Sequence, residues 1–421
     1  MEFEMIDTAN PTYYQRIKIW KDVSPEEWND PRWQLKNSVR DAEGLGRVIN
    51  LTEQEKADIE EALKHSRFQA TPYFLSLIDE NNPECPIRMQ CMPTICELEP
   101  GLGDLIDPLA EDADSPVPRL VHRYPDRVLF LVSELCSMYC RFCTRRRLVI
   151  DRTTSQLASE HDLAIEYISK HREVRDVIIS GGDALMLPLA SLERIIQKLR
   201  AIPHVEIIRV ASRFPAVMPM GVTDEVVNML KKYQPIYFMT HFAHPYEVTP
   251  YAAAACARIA DAGMQIHNQS VLLRKINSDP SIMKKLMHEL LKIRVKPYYI
   301  YQCDLASGIE HFRTSVSKGF EIMEYLRGHT SGLALPTFVI DAPGGGGKIP
   351  VMPNYLLTLT DDRAVVRNYR GLMSSYTNPR ERDSTCSTAL EIAKTLAPEE
   401  AKNTAFFDLV DGKRVTLKPQ V

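Results

Sequence analysis

The chain has 421 residues, 44% of them hydrophobic and 25% charged, the balance of a soluble globular protein and not of a disordered one. A formal net charge of −4 leaves no basic excess to neutralise phosphates, so nucleic acid is not expected as a partner. No apolar run reaches the roughly 18 residues of a spanning helix, and the acidic start MEFEMIDTAN lacks the basic and apolar regions of a signal peptide. A cytoplasmic protein without membrane contact is therefore expected. Its nine cysteines are odd in number and thinly spread, which argues for reduced thiols over a disulfide framework.

To about residue 115 the sequence reads as helical and irregular. Thr52 and Glu55 form a capping box opening TEQEKADIEEALKHS, with Ile59 and Leu63 on one face. The proline-rich DSPVPRLVHRYPD, at 114–126, reads as a boundary. Beyond it, six short β-rich runs alternate with helical periodicities: VLFLVS (128–133), DVIIS (176–180), EIIRV (206–210), IYFMT (236–240), IHNQS (266–270) and PYYIYQ (297–302). Leu192, Ile195, Ile196 and Leu199 fall at helical spacing, as do Met283, Leu286, Met287 and Leu290. A seventh run, PTFVID (336–341), follows. Apolar strands alternating with helices predict an α/β protein whose parallel sheet is covered by helices. The strand spacing, roughly 30 residues, suits a partial barrel, although a doubly wound open sheet shares this periodicity. From about residue 355, LLTLTDDRAVVRNY predicts a hairpin turning at Asp361–Asp362, then a polar tail. Three regions are expected: 1–115, 116–354 and 355–421, the last serving oligomer contact.

Cys136, Cys140 and Cys143 make a C-x3-C-x2-C run directly after the first β-run. Three thiolates on one compact loop can hold three corners of a [4Fe–4S] cluster, leaving the fourth iron without a protein ligand; incidental buried thiols or a zinc site are the alternatives. Zinc prefers four-ligand closure with paired C-x2-C spacing, and no histidine is placed to complete it here. Downstream, Gly181-Gly182-Asp183 ends the second run, where paired glycines allow close backbone approach.

The segment LCSMYCRFCTRRR resembles the radical S-adenosylmethionine superfamily. The resemblance implies a partial parallel (β/α)6 barrel whose open iron chelates S-adenosylmethionine. It also implies that Phe142 lies against the adenine and that the Gly181-Gly182-Asp183 turn meets the methionyl ammonium. From about residue 20 to about residue 375 the chain is similar to the lysine 2,3-aminomutase family, through SPVPRLVHRYPDRV, SGGDAL, NQSVLLR, KPYYIYQCDL, LRGHTSG and DAPGGGGKIPVMPNY. That family also uses pyridoxal 5′-phosphate.

Lys348 follows Gly344 to Gly347, four glycines whose backbone allows close approach to a ligand. A phosphate-loop reading fails, because Ala342 stands where its first glycine belongs and Ile349 where Ser or Thr is required. The family resemblance implies that Lys348 forms the Schiff base with pyridoxal phosphate, as a lysine amine does in a desolvated site. It places Arg123 and Arg127 near the cofactor phosphate, where a guanidinium fork suits the oxygens, and Arg145 on the substrate carboxylate. Arg146 and Arg147 read as structural or surface residues.

Asp304 and Asp341 close two β-runs, where barrel enzymes keep their sites, although one such aspartate alone would commonly cap a helix. By resemblance the pair clamps the substrate ε-ammonium, which disfavours a glutamate-specific activity and leaves arginine open. His241 and Gln269, at the ends of the fourth and fifth runs, are implied to stand beside the two cofactors. Cys386 is alone where clostridial-type relatives build a zinc site, and Asp279 replaces another cysteine, so no zinc is expected.

The implied reaction interconverts L-lysine and L-β-lysine, a 5′-deoxyadenosyl radical taking hydrogen from a pyridoxal-bound lysine aldimine. Arginine 2,3-aminomutase is the alternative within the class, and an iron–sulfur electron-transfer protein the alternative outside it. A ferredoxin or flavodoxin as electron donor and a homo-oligomer, dimer or tetramer, complete the expectation.

Overall fold

The computed structural model describes residues 6–149, 157–360 and 363–377. Its centre is a nine-stranded sheet in strictly sequential order. The strands are β1 (Leu120–Tyr124), β2 (Arg127–Ser133), β3 (Asp176–Gly181), β4 (Ile207–Ala211), β5 (Ile236–Thr240), β6 (Gln265–Leu272), β7 (Val295–Gln302), β8 (Thr337–Ala342) and β9 (Gly347–Pro350). From β2 to β8 every neighbouring pair is parallel. Helices 157–170, 189–200, 224–231, 250–261, 280–292 and 316–326 fill the six crossovers. The expected barrel is present, with the seventh run as a seventh parallel strand.

Two of its strands were not expected. LVHRY, read from sequence as part of a proline-rich boundary, is β1, antiparallel to β2 across a tight turn at Pro125–Asp126. The prolines stand on either side of this strand, where they remove no ladder hydrogen bond. The glycine-rich segment ends in β9, antiparallel to β8. The barrel therefore has two edges, β1 and β9, and Tyr124 Oη accepts a hydrogen bond from the backbone N–H of Lys348 at 2.7 Å between them.

Burial along the strands explains where the site lies. Val177, Ile179, Ile208 and Val210 point outward onto the helices and are fully buried. Their alternating neighbours Asp176, Ile178, Ser180, Arg209 and Ala211 point inward and are only partly buried, because they line a cavity. The helices cover the outer face with the stripes their periodicity predicts: Leu192, Ile195, Ile196 and Leu199 on one, Met283, Leu286, Met287 and Leu290 on another, each at most 1% exposed.

The N-terminal region is short helices, four of which place proline in the first turn (Pro25, Pro31, Pro72, Pro86), where its fixed φ suits the helix. The capping box of Thr52 and Glu55 forms as expected. Trp28 stacks on Tyr14 with ring centroids 3.8 Å apart. This aromatic knot is continuous with the barrel core, and Thr71 Oγ1 donates to the Val217 carbonyl at 2.6 Å across the junction.

After the barrel, β10 (Leu356–Leu359), β11 (Arg363–Arg367) and β12 (Met373–Thr377) form a small antiparallel sheet. The expected hairpin is its first two strands; its turn residues Asp361 and Asp362 lie outside the described residues, as does Cys386. Among the described residues, no helix is long and apolar enough to cross a membrane. Tyr124→Phe removes the seam hydrogen bond and is expected to cost about 1 kcal/mol, measured as a lower urea midpoint at unchanged slope.

Candidate active site

The cysteine loop is held from outside the barrel. The N–H of Tyr139 donates to the Gln69 carbonyl at 3.0 Å and that of Arg141 to the Gln90 carbonyl at 2.9 Å. The Arg141 side chain reaches the buried Glu97 carboxylate, with Nε donating to Oε1 at 2.8 Å, and the Arg67 carbonyl at 2.7 Å. The N-terminal helices thus fix the loop that carries Cys136, Cys140 and Cys143. The three thiols open into one cavity of about 200 Å³. Burial raises the Cys143 thiol to about 11 and the Cys136 thiol well above its usual value. Arg213, which sequence reasoning missed, donates from Nη1 to Cys140 Sγ at 2.7 Å. Its other nitrogens reach the Glu247 carboxylate at 3.1 Å and the His241 carbonyl at 3.2 Å. The only sequence sign of Arg213 is its position just past the end of β4, where barrel sites gather.

The glycine pair acts on this loop directly. Gly181 has φ +128°, and a Cβ there would lie 2.2 Å from the Ser133 carbonyl oxygen; at Gly182 it would lie 2.4 Å from the Leu135 carbonyl oxygen. The Gly182 and Asp183 N–H groups donate to those same two carbonyls at 2.6 and 2.8 Å. The turn therefore docks on the start of the cysteine loop, and Gly182 and Asp183 line the cavity behind it. Asp183 uses its carboxylate internally, accepting from Leu185 N at 2.9 Å and Arg213 N at 2.8 Å, and burial raises it to about 6.

Three buried polar atoms on residues lining this cavity, Ser137 Oγ, Thr240 Oγ1 and His241 Nε2, have no hydrogen-bond partner among the described residues. Such atoms are completed by a polar partner, whether a bound ligand or an ordered water. Together with three soft thiol donors and no fourth cysteine among the lining residues, they suit a three-cysteine cluster carrying a polar ligand. Phe142 is 4% exposed and packs in a small apolar cluster beside this cavity's His241. Its ring is stacked on His241 with centroids 5.4 Å apart and set edge-on to Phe312. Burial and the nearby Arg213 charge keep the His241 imidazole well below its usual pKa, hence neutral.

A second cavity, about 500 Å³, occupies the barrel interior. Ser180, Ala211, Met239, His241 and Gln269 line both cavities; they form the shared wall. Gln269 is not at a strand end as expected but inside β6, just after a shift in register against β7, and such irregularities re-aim a side chain.

Lys348, Asp341, Asp304, Arg145, Arg123 and Arg127 all line the second cavity. Lys348 departs from the picture of an amine in a dry loop. It sits on β9 directly opposite Asp341 on β8, its side chain 34% exposed, with Nζ 3.1 and 3.3 Å from the two Asp341 oxygens. Positive φ at Gly344, Gly345 and Gly347 makes the turn that sets this register. Asp304, just past β7, accepts from Thr144 Oγ1 at 2.6 Å; burial, with the Asp341 charge adding, raises it to about 6.

The arginines are more engaged than the sequence implied. Arg123 donates from Nε to Asp114 at 2.8 Å and from Nη2 to the Leu109 carbonyl. Arg127 pairs with neighbouring Asp126 at 2.9 Å and lies 3.9 Å over the Tyr124 ring. Arg145 is gripped by Glu111, which sequence reasoning also missed because it is one acid among several in DPLAEDAD. Arg209, another inward cation, makes a two-pronged pair with Asp176 at 2.9 and 2.7 Å. Arg146 and Arg147 tie down loops through Glu97, Asp107 and Asp112, the structural role expected of them. Asp279 caps the helix at 280–292.

Gly182→Ala forces the start of the cysteine loop to shift while altering none of the three cysteines themselves. Iron content after anaerobic reconstitution is expected to fall well below that of the unaltered protein; full iron loading would mean the turn does not shape the loop.

Residues 130–277 match the family model described as Radical SAM superfamily, and residues 323–421 match the model described as Lysine-2,3-aminomutase. The L-lysine 2,3-aminomutase of Fusobacterium nucleatum is 56% identical over 87% of this chain and 87% of its own length. That of Clostridium subterminale is 50% identical over 96% of each chain. A glutamate 2,3-aminomutase of Clostridioides difficile is 45% identical over 85% of this chain and 84% of its own. The chain belongs to the lysine 2,3-aminomutase family of radical S-adenosylmethionine proteins, which work with a [4Fe–4S] cluster, S-adenosylmethionine and pyridoxal phosphate.

Proposed function

We propose that this protein interconverts L-lysine and L-β-lysine. One observation carries the choice of lysine: the Asp341 carboxylate already holds a primary ammonium, that of Lys348, at 3.1 and 3.3 Å inside the barrel. The substrate side chain ends in the same group, and a buried ammonium needs such a partner. Asp304 adds a second carboxylate to the same cavity. An acidic side chain would meet repulsion from both, so a glutamate substrate is disfavoured.

In this reading Cys136, Cys140 and Cys143 hold the cluster, and Gly181, Gly182 and Asp183 form the wall behind S-adenosylmethionine. His241 and Gln269 stand between that cofactor and the barrel interior, and Phe142 acts on His241 from behind. Lys348 carries pyridoxal phosphate, with Arg123 and Arg127 toward its phosphate, and Arg145 receives the substrate carboxylate. When bound, the cluster with S-adenosylmethionine supplies a hydrogen-abstracting carbon radical, and pyridoxal phosphate supplies a carrier for the migrating nitrogen. The chain itself supplies orientation and exclusion of water. Arg145 and the aspartate pair fix a zwitterion with a second ammonium in one pose, which converts binding into alignment. We assign the protein to the cytoplasm, as a homo-oligomer served by a ferredoxin- or flavodoxin-type reductant.

Anaerobic incubation of reconstituted protein with lysine, arginine and glutamate in parallel tests the assignment. β-Lysine is expected as the main product, and a preference for either other amino acid overturns it. Lys348→Ala should abolish the visible imine absorbance of the protein-bound pyridoxal; its persistence would assign the imine to another lysine. Asp304 must be ionised to hold an ammonium and is raised to about 6, so kcat/KM for lysine should fall as pH drops through about 6. Asp304→Asn should lower kcat/KM and remove this limb of the profile.

A further inference from the structure

Arg145 is not free in this structure. Glu111 takes it from one side: Nε lies 3.0 Å from each Glu111 oxygen, and Nη2 lies 2.6 Å from Oε1. The Glu111 side chain is 7% exposed and that of Arg145 28%, and both line the barrel cavity. A guanidinium has two forks, one at Nε and Nη2 and one at Nη1 and Nη2. Glu111 occupies the first; no partner is recorded for Nη1 among the described residues.

Two roles are open to such a carboxylate. It could stand in for the substrate carboxylate and leave on binding, or it could stay and aim the arginine. The segment that carries Glu111 decides between them, because it is fastened at both ends. Ser115 Oγ donates to the Glu111 carbonyl at 2.7 Å, and Arg123 Nε holds Asp114 at 2.8 Å. Arg147 holds Asp112 at 2.9 Å and Asp107 at 3.1 Å, and Gly344 N–H holds the Pro108 carbonyl at 3.1 Å. These anchors fix the Glu111 backbone, and a side chain only 7% exposed has little room to turn away from Arg145. Burial opposes its charge, and Arg145 nonetheless keeps its pKa below the usual carboxylate value.

We infer that Glu111 is a positioning residue for recognition of the substrate carboxylate, holding Arg145 side-on so that its second fork faces the cavity. The inference rests on the proposal that Arg145 receives that carboxylate. Its physical content is orientation. An arginine that rotates freely binds a carboxylate in many poses, whereas one locked by a two-pronged partner offers a single direction.

The test compares L-lysine with L-lysine amide, which lacks the carboxylate, by equilibrium binding to the fully loaded protein, with the ratio of 5′-deoxyadenosine to β-lysine as a second readout. Glu111→Ala and Glu111→Gln are each expected to lose about tenfold in preference for lysine over the amide, roughly what one charge-assisted hydrogen bond contributes. Amide binding should be unchanged, which also shows that the variants fold, and more 5′-deoxyadenosine should form per β-lysine. Tighter lysine binding in either variant would make Glu111 a competitor and overturn the inference. An unchanged preference in both Glu111 variants, together with a preference lost in Arg145→Ala, would overturn it while leaving the role of Arg145 intact. If Arg145→Ala also keeps the preference, the proposed role of Arg145 itself fails.

Discussion

A primary ammonium inside a barrel needs a carboxylate within hydrogen-bonding distance, and here the β8–β9 register brings the two together. In that register Lys348 stands opposite Asp341, so both side chains project from the same face of the sheet. A slip of one residue would send the lysine to the opposite face. The glycine-rich turn before β9 and the Tyr124 hydroxyl beyond it secure the register from both sides. Much of the proposed site chemistry depends on this one pairing: it places the amine proposed to carry the cofactor, and it shows the kind of group the aspartate accepts.

The same logic extends through the interior. Arg145 with Glu111, Arg209 with Asp176, Arg123 with Asp114 and Lys348 with Asp341 are each fixed pairs. Charges in a partly dry cavity are tolerable only when partnered, and a partnered charge is also an aimed one. Paired charges of this kind lower the cost of organising the reacting groups at binding.

Coupling between the two halves of the site is built into short stretches of chain. Cys143, Thr144 and Arg145 are consecutive. The first faces the cysteine cavity, while Thr144 holds Asp304 and Arg145 turns to the barrel interior. His241 and Gln269 line both cavities. The N-terminal helices matter to the chemistry as well as to stability, since Gln69, Gln90 and Glu97 hold the cysteine loop in place.

The strand runs, the buried helix stripes, the cysteine triplet and the lysine after four glycines were legible in the sequence, because each rests on local spacing: a period of two, a period near 3.6, or a fixed interval between thiols. Three kinds of feature were not. β1 and β9 were hidden by proline and glycine, which discourage a strand locally and are overruled here by pairing with β2 and β8. Gln269 was assigned to a strand end because local pattern does not reveal a register shift. The partners that aim the site, Glu111 for Arg145 and Arg213 for Cys140, lie 34 and 73 residues away along the chain. Spacing along a sequence determines which groups are available, but only the closed fold decides which charge faces which, because a salt bridge depends on distance in space and carries no mark in the chain between its two ends.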